Sequence, residues 1–158
     1  MVDIYFWGAN ERPYGCFSQW FISPFTDGEN EFNCCEQYMM FIKSIIFQDF
    51  DTAQKILEEP IPKKQKQLGR EVKNFNTKKW NEFKESIVFM GNYYKFTQNA
   101  KLKKTLLSTK SKIYEASPYD NIWGIGITKR QAENGIKHKG QNLLGVALMT
   151  VREDLINE

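Results

Sequence analysis

The chain has 158 residues, of which 41% are hydrophobic and 15% aromatic, so it can bury the core of one ordinary domain and is not intrinsically disordered. Its net charge of +3 is far below the concentrated positive charge of a dedicated nucleic-acid binder. No segment approaches the roughly 18 apolar residues of a membrane span, and MVDIYFWGAN at the amino terminus lacks the basic and apolar regions of a signal peptide.

Short strands and loops are expected in the first part of the chain. Residues 3–7, DIYFW, are rich in β-forming side chains and end at Gly8, which predicts a strand. Prolines and glycines punctuate residues 10–31, which predicts loops around one short strand at 16–22, CFSQWFI. From about 33 to 47 apolar residues are dense and breakers are absent, which predicts a largely buried helix.

Helices dominate the remainder. They are predicted at 51–59, from a cap at Thr77 through Met90, and at 102–109. Pro60 and Pro62 are expected to stop the first of these. After a loop at 117–126 and a polar stretch to Lys139, Asn142 precedes a last helix or strand. We therefore predict an α+β fold, a compact and mainly helical single domain with a few short strands, spanning residues 1–158.

The cysteines and the basic residues indicate which metals, ligands and partners are expected. Cys16, Cys34 and Cys35 are an odd number, and with one histidine they supply too few well-spaced ligands for a zinc site. We expect no metal, no cofactor and no membrane partner, and a reducing, cytoplasmic location. Lysines cluster at 62–67 and 100–112, either as solvated surface or as a rim that attracts a phosphorylated ligand.

Two charged residues on the predicted buried helix form the first candidate site. Glu36 and Lys43 are seven residues apart, which places them about 20° from one line and about 10.5 Å apart along a helix axis. A buried charge must be paired or used. Either Glu36 pairs locally while Lys43 extends to solvent, or both converge on a ligand, where they can act as acid, base, phosphate partner or amine nucleophile.

The loop SPYDNIWGIG at 117–126 is the second candidate. An indole at Trp123 can stack on a nucleobase or a sugar, and Gly124 and Gly126 can let backbone approach a ligand closely. The alternative is a core tryptophan beside a turn-forming Asp120. Both interpretations are open from the residues alone.

Weaker signals come from polar residues in aromatic surroundings, such as Ser18, Gln19 and Trp20, and from Arg70, which can bind a phosphate bidentately. Each is equally compatible with an ordinary surface residue. A phosphate-binding glycine loop, a nucleophile elbow and a zinc-protease motif are all absent from the sequence. The common NTPase, hydrolase and metalloprotease classes are therefore disfavoured.

Five segments together are specific to one family. They are EQYMMFIK (36–43), LGR (68–70), the KF and QN pairs (95–99), LLSTKSKIYEASPYDNIWGIG (106–126) and GQNLLGVALMTVR (140–152). Their order and spacing resemble the YbiA-like family, also called NADAR for its proposed association with NAD and ADP-ribose. The likeness runs from about Tyr5 to Leu155, and its D-x-x-WG-x-G and G-x-N-x-LG motifs are specific in combination.

The resemblance implies a mostly helical α+β fold and an N-glycosidase, a hydrolase that cleaves a ribose–nitrogen bond. It implies two substrate classes: phosphoribosylaminopyrimidine intermediates of riboflavin synthesis, or ADP-ribose on guanine bases of nucleic acid. Carried over by motif, the catalytic residues are Glu36, Lys43 and Asp120. The substrate-binding set is Trp123, Gly124, Tyr38, Ser18, Arg70 and Asn142.

Two positions depart from the family pattern. Ser18-Gln19-Trp20 stands where the family often has S-N-F, and His138 stands where many members have a tryptophan. Neither touches the expected catalytic acids, so the departures bear on substrate identity more than on activity.

The mechanism implied is stacking by Trp123, with Tyr38 or Trp7, on the base or the ribose. Glu36 or Asp120 stabilises charge at the anomeric carbon and orients water. Lys43, or a neighbouring acid, protonates the leaving nitrogen, or Lys43 traps the opened sugar as a Schiff base. The rival classes are a non-catalytic reader of ADP-ribose or NAD, and a nucleic-acid-binding module whose affinity falls steeply with salt.

Overall fold

The computed structural model describes all 158 residues. Helices account for more than half of the chain, and four short strands complete it, which confirms the mainly helical α+β prediction. The strands are β1 (Ile4–Phe6), β2 (Phe25–Thr26), β3 (Glu31–Phe32) and β4 (Ile113–Glu115). The helices are α1 (Cys35–Ile46), α2 (Phe50–Glu58), α3 (Pro62–Arg70), α4 (Thr77–Gln98), α5 (Ala100–Ser108), α6 (Lys129–Glu133) and α7 (Leu143–Asn157).

The chain divides into two compact units: Met1–Ser18 with Lys101–Glu158, here called the terminal unit, and Gln19–Ala100, here called the central unit. The single domain spanning 1–158 stays a prediction. No helix is both long and apolar enough to cross a membrane, and no three His, Cys, Asp or Glu side chains are grouped as metal ligands.

In the terminal unit, β1 pairs in parallel with β4, with Ile4 opposite Ile113, and α7 lies against β4. The approach of α7 is very close, because a Cβ at Gly145 would collide with the carbonyl oxygen of Ile113. Leu144 and Leu148 of α7 are completely buried. Burial of such large aliphatic side chains is the main favourable term that fixes the helix on the strands.

In the central unit, α1 is the axis, and α2, α3 and α4 all contact it. Eight of its twelve residues are buried, which explains why the sequence there is apolar almost all round. Two glycines set the approach distances: a Cβ at Gly69 of α3 would collide with the Met40 side chain, and one at Gly91 of α4 would lie 2.9 Å from the Tyr38 ring. β2 and β3 form a short antiparallel hairpin.

Several sequence predictions hold. The strand predicted at 3–7 is β1, and the helices predicted near 33–47, 51–59, 77–90 and 102–109 are α1, α2, α4 and α5. The element after Asn142 is a helix rather than a strand. The motif residue Gln98 is structural, because its amide both donates to and accepts from the backbone of Thr26.

Other predictions are wrong, each for a local reason. Residues 16–22 do not form a strand, because a 3-10 helix (Tyr14–Phe17) extends into this segment and the Ser18 N–H donates to the Gly15 carbonyl. The cap of α4 is Asn76 rather than Thr77, since the Asn76 side chain accepts from the Lys79 N–H. Pro62 does not only stop α2: it opens α3, a first-turn position that proline tolerates well.

Candidate active site

Glu36 lies in the first turn of α1, where a carboxylate is favoured by the exposed N–H groups of a helix start. Only 6% of its surface is exposed. Its own N–H donates to the carbonyl of Gln19 at 3.0 Å, so the backbone at Glu36 is anchored from outside the helix. An acid this deeply buried has few degrees of freedom, which is what a positioned catalytic carboxylate requires.

Lys43 lies nearly two turns further along α1 and is half-buried. Its Nζ donates to the carbonyl oxygen of Gly69 at 2.8 Å. The same nitrogen lies 4.7 Å from the ring centre of Phe75 and 5.6 Å from that of Trp80. The amine is therefore held by a carbonyl and two aromatic rings, and the alternative in which Lys43 simply extends to solvent does not describe this geometry.

The charge state of Lys43 follows from these surroundings. Burial lowers the pKa of the amine and the Arg70 guanidinium lowers it as well, while the Glu36 carboxylate acts in the opposite direction; burial is the largest of the three. Glu36 and Lys43 thus influence each other electrostatically, as their spacing predicts. A lowered pKa increases the fraction of neutral amine, which is the form that attacks a carbonyl carbon.

Arg70 is exposed at the carboxyl end of α3, immediately after the glycine whose carbonyl receives the Lys43 amine. The close contact between Gly69 and Met40 brings this end of α3 onto α1. An exposed guanidinium can bind a phosphate in a two-point contact. The LGR segment therefore has a double role, in which Gly69 fixes the Lys43 amine and Arg70 presents a charge.

Tyr38 lies on α1 within an aromatic cluster of the central unit and is only 7% exposed. Its ring contacts Phe25, Phe32 and Tyr94, with centre-to-centre distances between 5.1 and 5.9 Å. Burial raises the pKa of its hydroxyl to about 12. The position of this ring is that of a core residue, and its stacking role stays a prediction.

Asp120 organises the loop at 117–126 in the terminal unit. Its Oδ1 accepts the N–H groups of Ile122, at 2.9 Å, and of Trp123, at 2.8 Å. This is an Asx turn, the structural alternative that the sequence left open for this residue. The turn fixes the backbone of Trp123, whose indole is half-buried.

Gly124 is required for the chain's own packing. A Cβ there would lie 2.8 Å from the Glu115 carbonyl oxygen and 3.1 Å from that of Asp120. The atoms nearest to that Cβ are backbone of the same loop and of β4, and the role of Gly124 toward a ligand stays a prediction. Gly126 is needed for its conformation, with φ of +73°.

Asn142 adopts the left-handed conformation, with φ of 55°, immediately before α7. Its Oδ1 accepts the Glu115 N–H at 3.0 Å, and its Nδ2 donates to the Ile113 carbonyl at 2.9 Å. The amide thus continues the edge of β4 and is engaged by protein backbone at both ends. Its contribution to substrate binding stays a prediction, and the contacts describe a residue that shapes the loop.

Hydrogen bonds from 141–144 complete this loop. Their N–H groups donate to the carbonyls of Asn121, Gly124, Ile122 and Trp123 in turn. The start of α7 is therefore capped by the loop itself, since the N–H groups of 141–144 are all donated to loop carbonyls. Ser18, also in this unit, is buried, and its N–H closes the turn that ends the 3-10 helix.

Sequence reasoning missed an aromatic pair next to this loop. Trp7 and Tyr119 are exposed by 45% and 85%, and their ring centres are 5.7 Å apart. Two large exposed rings in contact are unusual on a surface and offer a face for stacking. Tyr119 carries no signal in the sequence beyond its neighbour Asp120, because its pairing with Trp7 depends on how β1 and β4 align.

A groove of about 560 Å³ in the terminal unit lies elsewhere, against α7. Val146, Met149 and Ile156 line it, and none of the predicted site residues does. The candidate groups are thus positioned individually by the fold, and the joint catalytic role of Glu36 and Lys43 on α1 stays a prediction.

Comparisons with known proteins agree on one family. The NADAR domain matches residues 5–156. An N-glycosidase of Acanthamoeba polyphaga mimivirus is 46% identical over 161 residues, covering 96% of this chain and 95% of that protein. N-glycosidase YbiA of Escherichia coli is 30% identical over 146 residues, covering 92% and 84%. The NMR structure of E. coli YbiA matches with a TM-score of 0.82 at 27% identity, covering 99% of this chain and 86% of that one.

Proposed function

The chain belongs to the NADAR domain family and is a hydrolase of N-glycosyl bonds, and we propose that it cleaves the ribose–nitrogen bond of phosphoribosylaminopyrimidine intermediates of riboflavin synthesis. The observation that carries this proposal is the Lys43 amine. It has a lowered pKa, lies within electrostatic range of the buried Glu36 and has Arg70 close by. Such a set suits a substrate with an electrophilic sugar carbon and a phosphate.

Lys43 acts in this proposal as the amine nucleophile. Cleavage of the bond between the anomeric carbon and nitrogen leaves electron deficiency on the sugar carbon, which the Glu36 carboxylate stabilises. The neutral Lys43 amine bonds to the anomeric carbon as the carbon–nitrogen bond breaks, and the departing nitrogen takes the proton that the amine loses. The sugar ring then opens as the second amine proton moves to the ring oxygen, which gives an imine, and addition of water to this imine releases the ribose phosphate and regenerates the amine.

The residues of the loop support the same reaction in other ways. We assign Trp123 to stacking on the base, since an indole face accepts any heteroaromatic ring. Arg70 is assigned to the phosphate, and Asp120 to a second carboxylate that assists charge stabilisation while it holds the Asx turn. Gly124 and Asn142 maintain the loop, and Ser18 and Tyr38 complete the binding set. No cofactor enters this scheme.

The test is a side-by-side assay by mass spectrometry. The purified chain is offered a phosphoribosylaminopyrimidine and, separately, DNA with ADP-ribosylated guanine; the Glu36→Gln variant is the control for contaminating activity. Release of ribose phosphate from the first substrate alone supports the proposal. Release of ADP-ribose from the second alone contradicts it and assigns the chain to de-ADP-ribosylation. No release from either substrate identifies a non-catalytic reader.

Borohydride trapping tests the chemistry separately. Reduction during turnover is expected to fix the sugar on Lys43 as a stable secondary amine, detected as an added ribosyl mass on the peptide that contains residue 43. Turnover without any trapped adduct would exclude the imine and leave direct attack by water.

A further inference from the structure

Gln19, at the start of the central unit, connects α1 to α4. Its carbonyl accepts the Glu36 N–H at 3.0 Å, and its side-chain Oε1 accepts the Asn92 Nδ2 at 2.9 Å. Asn92 is fully buried on α4. The other end of the Gln19 amide differs: Nε2 is buried and has no hydrogen-bond partner. It is the one buried side-chain nitrogen or oxygen atom in the chain in that state.

The orientation of this amide follows from its neighbours. The Asn92 Nδ2 also donates to the Val88 carbonyl at 2.8 Å, while the Asn92 Oδ1 faces the Cys35 thiol at 3.7 Å. Asn92 must therefore present its NH2 group toward Gln19. Turning the Gln19 amide over would bring two NH2 groups together, so its oxygen stays on Asn92 and its Nε2 faces away.

An unpaired buried donor is costly, and folded proteins retain one mainly where something else satisfies it. Gln19 as a residue remains partly exposed, although its Nε2 is buried. The adjoining surface suits an anionic, aromatic ligand: Trp20 is 38% exposed, and the Lys66 amine lies 6.0 Å from its ring centre.

We propose that Gln19 is a substrate-binding residue whose Nε2 donates a hydrogen bond to an acceptor oxygen of the ribosyl ligand. The inference rests on the proposed function for the class of ligand. Asn92 holds the amide in place, and the backbone bond to Glu36 ties the donor to the helix turn that carries the acid. An oxygen atom of the ligand would accept the hydrogen bond from Nε2 that no protein atom accepts.

Two substitutions separate binding from architecture. Gln19→Met keeps the length and removes both polar atoms. Gln19→Glu keeps an acceptor for Asn92 but places a carboxylate oxygen where the donor was. The matched control is Gln54→Met, the same change at an exposed glutamine of α2. Measurements are kcat and KM on the substrate that the wild type cleaves, and the midpoint of urea denaturation.

We expect Gln19→Met to lower kcat/KM at least about tenfold, mainly through KM, and Gln19→Glu to lower it about a hundredfold, since two acceptors then face each other. The denaturation midpoint of Gln19→Met should stay close to that of the wild type, because the change removes one unpaired donor and leaves one Asn92 N–H without its Gln19 acceptor. Gln54→Met should change nothing. Wild-type kcat/KM in Gln19→Glu, or an activity loss in Gln19→Met matched by a fall in its midpoint, would overturn the inference.

Failure of the proposed function is recognised independently, as absence of turnover by the wild type on the phosphoribosylaminopyrimidine. In that case, calorimetric titration with ADP-ribose tests whether Gln19 contributes to ligand binding. Binding by the wild type that weakens at least about tenfold in Gln19→Met supports the role of Gln19. Equal affinity of the two proteins, or no binding by the wild type, contradicts it.

Discussion

Helix α1 and the loop at 117–126 both carry charged residues among aromatic ones, but they use them differently. On the loop, Asp120 is committed to two backbone N–H groups, and Asn142 beyond it to the backbone of β4. On α1, the Lys43 amine has a lowered pKa and faces aromatic rings, with the Glu36 charge within range. These polar groups of the loop therefore build structure, whereas the chemical role of Glu36 and Lys43 on α1 is part of the proposed function.

The sequence left a structural and a functional interpretation open for the charged residues of both segments. The difference between the segments shows how both interpretations can apply within one chain. A carboxylate that satisfies N–H groups lowers the cost of a tight loop, and it is poorly suited to shuttle protons while it does so. A buried amine near an acid is costly to maintain, and side chains with such perturbed pKa values are concentrated at functional sites. Substitutions that remove chemistry and substitutions that remove structure should thus affect different measurements in the two regions.

The largest effect is expected from Glu36→Gln. The amide keeps the size of the side chain but removes the charge, so kcat should fall at least about a hundredfold, the usual scale for a positioned acid or base. Steady-state kinetics on the accepted substrate give the value, with circular dichroism as the check on folding. A variant that retains near wild-type kcat would remove α1 from the chemistry.

Lys43→Arg should lower kcat at least about thirtyfold, because a guanidinium stays protonated and cannot form an imine. The pH dependence of the wild-type rate tests which protonation state of Lys43 is active. Since burial lowers the pKa of Lys43, the rate of the wild type should rise with pH and level off below the ordinary lysine value of 10.5. A rate that instead falls as the amine loses its proton would make Lys43 an acid rather than a nucleophile.

Asn142→Ala should lower the free energy of unfolding by about 2 to 3 kcal/mol, since it leaves the Glu115 N–H and the Ile113 carbonyl unpaired and forces alanine into the left-handed region. Asn142→Gly is the matched control, because glycine adopts this conformation freely and should recover part of the loss. Urea denaturation measures both. Equal stability of the two variants would show that only the hydrogen bonds matter.

The smallest effect should come from Asp120→Asn. Asparagine keeps the oxygen that accepts the two N–H groups, so the turn survives, and we expect kcat to fall by no more than about tenfold and stability to change by less than about 0.5 kcal/mol. Asp120→Ala, which breaks the turn, should be less stable than either. A hundredfold loss of kcat in Asp120→Asn would show that Asp120 contributes as much to catalysis as Glu36. That result would contradict the difference proposed between the two regions.

Local chemistry made much of the fold predictable. Dense apolar residues and missing breakers indicate α1, and proline positions indicate the end of α2 and, read differently, the start of α3. The strand β4 and the short helix α6 were missed, because three residues of β4 pair only with distant β1, and α6 depends on a capping box between Thr128 and Gln131. Short elements carry too little periodicity to stand out from loops.

The sequence by itself determined the helical character of the chain, the family, and the placing of Glu36 and Lys43 on one helix, because helical spacing and motif order are properties of a linear string. Only the tertiary structure decided what those groups experience. The carbonyl of Gly69 and the rings of Phe75 and Trp80 reach Lys43 through contacts distant in sequence. Desolvation and hydrogen bonding come from such neighbours, which is why the lowered pKa of Lys43, the structural duty of Asn142 and the unpaired Gln19 amide were invisible until the chain was folded.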